Sequence, residues 1–170
     1  LGIITGYQNG LPVYNEYYIS AAPHERLFIH GRWQDGLVPQ PGIEEADHQQ
    51  YRAFFAAMEK FKHQRGVDGK RLFAIPVDRS SSDRATRKLD TISFAEYMQQ
   101  NGWDSPYLTW YVDYCCRDDY GATAKDVSAW AGIHYFAARS GKAANTDAEN
   151  VLTWPEGNGW LVKQLKAKLA

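Results

Sequence analysis

Residues 44–66, EEADHQQYRAFFAAMEKFKHQRG, constrain the fold more than any other stretch. Tyr51, Phe54, Phe55, Met58 and Phe61 recur at spacings of three and four. That is the period of one helix face, so a single helix presents four aromatic rings and a thioether on one side. Glu44, Glu45 and Asp47 crowd its start, and Lys60, Lys62, His63 and Arg65 its end, as the helix macrodipole prefers. Gly66 is the expected stop. A stripe of this size must be covered by other elements. With 170 residues, 44% of them hydrophobic and 14% aromatic, the chain can supply the cover for one core.

The covering elements are readable in the same way. GIITGYQNGLPVYNEYYI reads as a β-hairpin turning at Asn9-Gly10, with Tyr14, Tyr17 and Tyr18 on its second strand. A short strand is expected over Arg26 to His30. After it the chain should break into a loop at Gly31, Gly36, Pro39, Pro41 and Gly42. RLFAIPV reads as a strand, and DRSSSDRATRKLD as a polar connection. TISFAEYMQQNG reads as a helix capped by Thr91 or Ser93, with Glu96 completing a box from Ser93, and ended by Gly102. SPYLTWYVDYCC is a helix with Pro106 in its first turn, followed by a connection RDDYGA. TAKDVSAWAGIHYFAARSG is a helix capped at Thr123. VLTWPEGNG runs as a strand into a glycine turn, and WLVKQLKAKL is a last amphipathic helix. The expected class is therefore α+β, helices packed with small antiparallel strands.

Composition excludes several functions. The net charge is −1 and no basic run or stripe stands out, which argues against a nucleic-acid partner. No apolar run is long enough to span a bilayer. The chain opens on Leu1 without a Met and without a signal-peptide pattern, as expected of a processed form or a piece of a longer protein. That leaves the compartment open, either cytoplasmic or exported with the parent.

The densest chemistry lies in WYVDYCCRDDYGAT, residues 110–123. A cysteine hydrolase would use Cys115 or Cys116 as nucleophile, His134 as base, and Asp113 or Asp126 to orient it. No family signature surrounds either thiol, and free cysteines on a helix are more often buried. A metal site from Cys115, Cys116, Asp118, Asp119 and His134 is weaker, because adjacent cysteines do not converge on one ion. Arg117, Asp118 and Asp119 also read as a salt-bridged helix end. EGNGWLVKQL places glycines before a helix N-terminus, a weak signal for an anion cradle.

Several segments together resemble the flavin-containing amine oxidase and phytoene desaturase-like FAD-dependent oxidoreductases, and a bacterial branch of them most closely. LDTISFAEYMQQNG, with Asp90, Ser93, Glu96 and Gly102, is similar to the opening of a substrate-domain helix in that family. WPEGNGWLVKQLKAKL is similar to the family's return from substrate domain to flavin domain, with Gly157, Asn158, Gly159, Leu161 and Leu165 in the matching places. PHERLFIHGRWQDGLVP, VDYCCRDDYG, SAWAGIHYFAAR and LTWPEGNGWL keep the family's order.

The resemblance implies that residues 1–150 are a substrate-binding domain and 151–170 a strand, turn and helix re-entering a flavin domain. It implies FAD as cofactor of the full-length parent, approached by Trp154, Gly157, Asn158 and Gly159. It implies a small-molecule substrate in a cavity of Trp110, Tyr111, Tyr114, Arg117, His134 and Tyr135. The fingerprint G-x-G-x-x-G is not in this sequence, so the fragment alone is not expected to hold FAD, and its partners would include the missing flavin-domain segments. The alternative classes are a non-catalytic ligand- or protein-binding module and the cysteine hydrolase.

Overall fold

The computed structural model describes residues 1–20, 25–40, 42–147 and 150–169. Pro41, which the sequence places in the loop after Gly31, lies outside them. In chain order the elements are β1 (Ile4–Gln8), β2 (Leu11–Tyr14), β3 (Arg26–Ile29), β4 (Arg32–Asp35), α1 (Glu45–His63), α2 (Arg84–Arg87), α3 (Phe94–Gln100), α4 (Pro106–Tyr120), α5 (Ala129–Ala137) and α6 (Gly159–Leu169). Single 3-10 turns lie at Glu16–Tyr18, Val77–Arg79 and Lys88–Thr91. The class is α+β: among the described residues there are six helices and two antiparallel sheets of two strands each. Among the described residues no helix is long and apolar enough to cross a membrane.

The chain divides into two compact units. One joins Leu1–Arg26 to Gly141–Ala170, and the other is Leu27–Ser140. The division falls at 26/27 and 140/141. In the first unit β1 and β2 pair through an Asn9-Gly10 turn in which both residues have positive φ, 52° and 77°. Such a turn matches the strands' twist, and glycine accepts the conformation without strain. The second strand stops at Tyr14. Tyr17 and Tyr18 are not on it but in the 3-10 turn, because the Asn15 side chain accepts from the Tyr17 N–H at 3.0 Å and bends the chain. The C-terminal half returns beside this turn. Tyr18 O accepts from Thr153 N at 2.7 Å, Val151 O accepts from Ser20 N at 3.0 Å, and Asn145 brackets the Tyr14 backbone at 2.9 and 2.8 Å. The strand expected at 151–154 is only an isolated bridge, Ile19 with Leu152.

The second unit holds the core. Tyr51, Phe54 and Met58 of α1 meet Phe94 and Met98 of α3, Leu108, Val112 and Cys116 of α4, and Ala129, Ile133 and Ala137 of α5. Phe54, Phe73, Phe94, Leu108, Val112 and Ile133 are wholly enclosed. The α1 stripe is therefore the core's spine, as its spacing predicts. Its end differs from the expectation. Gln64 leaves the helix in extended conformation, and Gly66 does not adopt positive φ. Gly66 is needed for space instead, since a Cβ there would collide with Ser81 Oγ.

Other expectations need correction too. The stretch after Ile29 is not a loop: His30 (φ 50°) and Gly31 (φ 74°) form a second two-residue turn, and β4 pairs back. RLFAIPV is no strand: Arg71 makes only an isolated bridge with Arg65, and a 3-10 turn begins at Val77. Inside the polar connection Asp83 caps the short α2. The α3 cap is Ser93, with the capping box to Glu96. α4 does not stop at Cys116 but runs on through Asp118 and Asp119 to Tyr120, where Gly121 (φ 65°) ends it. α5 begins at Ser128 rather than Thr123.

Gly132 of α5 is the tightest approach in this core: a Cβ there would overlap the Phe94 ring. Alanine in a helix interior normally gains about 1 kcal/mol over glycine. Here overpacking should outweigh that gain, and Gly132→Ala should lower stability by about 2 kcal/mol. The check is a urea midpoint at constant slope; an unchanged or raised midpoint would mean that Phe94 yields freely.

Candidate functional site

The surface of α4 is where the sequence-predicted cavity residues and the open grooves coincide. Leu108, Val112, Cys115 and Cys116 are buried, so the helix has a definite inner face. The outer face recurs at the same period and carries Pro106, Thr109, Trp110, Asp113 and Arg117. These residues, with Asp104, Thr123 and Lys125, line an open groove of about 560 Å³. Asp113 organises it. One of its oxygens accepts from Ala124 N at 2.9 Å, and the other pairs with Arg117 at 2.7 Å. The carboxylate thus ties the turn after α4 back onto the helix and holds the guanidinium that lines the groove. Asp104 accepts from the Gln50 side chain at 2.8 Å. The arrangement suits a polar or charged small molecule: an exposed cation, a partly covered carboxylate, a hydroxyl and an indole face.

A second groove, of about 400 Å³, lies on the other side of Trp110 and Pro106 and is apolar. Leu27, Phe28 and Ile29 of β3, Pro39 and Tyr107 complete it. The Tyr107 hydroxyl meets His30 Nε2 at 3.3 Å. Trp110 and Pro106 line both grooves, and Trp110 remains 42% exposed, so one indole serves two surfaces.

Of the six predicted cavity residues, Trp110 and Arg117 line a groove. Tyr114 stacks on Trp110 at 5.9 Å and backs it. Tyr111 packs into the core rim against Tyr51, Phe55 and Phe136. Tyr135 lies on Phe136 at 4.8 Å and beneath the Arg139 guanidinium at 4.2 Å, while Arg139 pairs with Asp119. Burial, and a hydrogen bond with Cys115, push its hydroxyl pKa up. His134 is elsewhere: its Nε2 donates to Ala74 O at 2.8 Å, and its ring stacks on Trp130. Sequence reasoning named Asp113 only as a possible orienter of His134 and passed over Asp104, Thr109, Thr123 and Lys125. The i, i+3, i+4, i+7 spacing of Pro106, Thr109, Trp110 and Asp113 is readable along α4, but a polar stripe is also what any solvent face shows, and Asp104, Thr123 and Lys125 lie outside the helix.

Trp154, Gly157, Asn158 and Gly159, the residues expected from the sequence to approach a cofactor, belong to the first unit. Trp154, Pro155, Glu156 and Gly157 form a turn closed by Gly157 N to Trp154 O at 2.7 Å, with Gly157 at φ 80°. Gly159 begins α6. Trp154 stacks on Trp160 at 5.1 Å and 14°, and Tyr18 meets both rings. Tyr17 reaches Glu156 at 3.4 Å, and that carboxylate raises the phenol's pKa.

Both cysteines are free and 1% exposed. Desolvation pushes the Cys116 thiol up to about 12, with further contributions from Cys115, Asp113 and Asp119. A thiol of that kind is not a nucleophile at neutral pH. Against family models, curated proteins and solved structures alike, the chain finds no match.

The thiol shift sets a pH dependence. The folded state holds Cys116 neutral, whereas the unfolded chain releases its proton near the ordinary value of 9.0. Stability is then level below about pH 9 and falls as pH rises toward 12. Tyr120, raised from 10.0 to about 12 by burial first and by Asp119 next, adds to the fall from about pH 10. Cys116→Ala should flatten the part of the profile that starts near pH 9 and leave the rest. Urea midpoints across pH check this, with native-state alkylation as companion. Rapid alkylation of either thiol in the folded protein would contradict the burial.

Proposed function

We propose that the chain is the substrate-binding portion of an FAD-dependent oxidoreductase that removes hydride from a C–N or C–C bond. The observation that supports this most is the discontinuity of the first unit. Both ends of the chain build it, through the Tyr18–Thr153 and Ser20–Val151 bonds, and residues 27–140 form a separate unit between them. A substrate domain that leaves and re-enters a flavin domain needs that connectivity. The flavin domain's remaining parts would then come from the rest of the parent protein.

The re-entering turn fits one edge of a flavin. A Cβ at Gly157 or Gly159 would meet nothing within 4 Å, so the backbone is bare on that side. The first N–H groups of α6 bring the positive end of a helix dipole. The stacked Trp154 and Trp160 add an aromatic wall. Trp154, Gly157, Asn158 and Gly159 would hold that edge, and the pyrophosphate would be cradled by residues outside this chain. When bound, the flavin supplies the hydride acceptor. The chain's own residues bind and orient. Trp110 gives the substrate an apolar face, Arg117 holds an anionic or electron-rich group, and Asp113 keeps Arg117 in place. Tyr114 backs this wall by stacking on Trp110. The burial of both thiols and the engagement of His134 by Ala74 speak against the cysteine hydrolase.

The two glycines separate a structural role from a functional one. Gly157 has positive φ, so alanine there costs about 1 kcal/mol whatever binds nearby. Gly159 is the first residue of a helix with open space around it, so alanine should leave stability unchanged or slightly raised. In the full-length parent, Gly159→Ala is expected to cut flavin content and turnover at least severalfold while the melting temperature holds. Flavin content and turnover equal to wild type in both Gly157→Ala and Gly159→Ala would remove the turn from the site.

A further inference from the structure

Residues 60–88 concentrate a charge that the chain's overall balance hides. They carry nine Lys or Arg against three Asp, a net of +6, in a chain of net −1, which leaves −7 on the remainder. The fold gathers this stretch into one lobe of the second unit. The Arg65–Arg71 bridge closes a tight turn at 66–69. The Asp68 carboxylate ties that turn to the following segment, accepting from Ser81 Oγ at 2.7 Å and Ser82 N at 3.0 Å. Those donors hold its carboxyl well below the usual range, at about 2. Asp83 is likewise occupied, as the α2 cap, accepting from Thr86 N at 3.1 Å. Two of the three acids therefore face neutral donors of their own lobe. Lys60, Lys70, Arg79, Arg84, Arg87 and Lys88 are all exposed, and none has a carboxylate within 4.0 Å among the described residues.

The same lobe also exposes aliphatic side chains. Val67, at the tip of the turn, is 93% exposed, Ile75 60% and Val77 57%. Unpaired cations around protruding aliphatic groups are what a peripheral protein offers to an anionic bilayer: the cations meet the surface potential and the aliphatic tips enter the headgroup region. A nucleic-acid platform would instead offer exposed aromatic rings for bases to stack on, and Val67, Ile75 and Val77 cannot stack. We propose that the 60–88 lobe is a docking surface for an anionic lipid bilayer.

Vesicle co-sedimentation of the natural full-length chain tests this, with phosphatidylcholine alone and with phosphatidylcholine plus phosphatidylserine. Partitioning is expected onto the anionic vesicles only. It should fall steeply between about 0.1 M and about 1 M salt, as the screening length shrinks from about 10 to about 3 Å. Each cation near the surface contributes about fivefold, so R84E/R87E/K88E should cut the partition coefficient more than about a hundredfold. V67S should cut it about threefold or more with the charge unchanged. K163E/K166E/K168E, on exposed positions of α6, should leave most of the partitioning in place, and circular dichroism confirms that each variant is folded. Equal partitioning onto neutral vesicles, none onto either, or an equal loss in the α6 variant would overturn the proposal. Retention on double-stranded DNA without vesicle binding would assign the surface to nucleic acid and overturn it as well.

Discussion

The seat of Phe94 on Gly132 is the contact on which the second unit depends. With no side chain at Gly132, the ring lies directly against α5 and reaches Phe54 of α1 and Phe136 of α5 at 6.3 and 6.2 Å. The backbone reinforces the seat. Ser93 and Ser128, the caps of α3 and α5, pair as an antiparallel bridge, Phe94 N donates to Val127 O at 2.8 Å, and Ala129 N to Ile92 O at 2.9 Å. Two helix N-termini therefore start from one anchor, with their first N–H groups met by serine side chains and their entries by each other. Once α3 and α5 are locked, α1 can lay its aromatic stripe across both.

That packing decides what α4 can present. Its inner residues are held between α1 and α5, and the Tyr120 hydroxyl donates to Ala131 O at 2.8 Å to fasten its far end. Adjacent cysteines on a helix point about 100° apart, yet both are enclosed because α4 has neighbours on two sides. Cys116 faces the core cluster and Cys115 the Tyr135 hydroxyl. The dense chemistry of residues 110–123 thus separates into two populations. The thiols serve as packing, and Trp110, Asp113 and Arg117 are left on the outer face that lines the groove.

The sequence made legible what local rules govern. The α1 stripe, the Asn9-Gly10 hairpin, the Ser93–Glu96 box and the start of α6 each depend on residues within one turn of each other. What it hid depends on distant partners. Thr123 and Ser128 are equally plausible caps from local spacing; Ser128 wins because Ser93 lies beside it, while Thr123 turns its hydroxyl to Asp126 at 2.7 Å. RDDYGA looks like a connection because acids crowd a helix C-terminus, against the dipole. The helix continues regardless, since Arg117 pairs with Asp113 within it and Arg139 of the next segment neutralises Asp119. His30-Gly31 carries no local turn signal, because His-Gly is not among the dipeptides that mark a two-residue hairpin turn as Asn9-Gly10 does. For the candidate site, the aromatic residues of α4 were recognisable, but the polar half of the groove comes from the segments on either side of α4, which only the folded chain brings to it.

Arg71 shows how the same lobe both closes the core and stays charged. Its guanidinium donates to Ser140 Oγ at 2.6 Å and to the carbonyls of Ala137 and Ala138 at 3.3 and 3.4 Å. It therefore caps the C-terminal end of α5, where unpaired carbonyls and the negative end of the dipole favour a cation. The residue that seals the second unit at its exit, Ser140, is thus held by one cation of the 60–88 lobe. Arg65 likewise donates to Gly69 O at 2.8 Å and Lys62 pairs with Glu59 at 3.3 Å, whereas Lys60, Lys70, Arg79, Arg84, Arg87 and Lys88 have no carboxylate within 4.0 Å among the described residues. Their charge is left uncompensated in part because the α5 end is taken by Arg71, and two of the lobe's three acids by neutral donors, Asp68 by Ser81 and Ser82 and Asp83 by α2. An uncompensated positive surface is then a direct consequence of how completely the interior of the lobe satisfies its own polar groups.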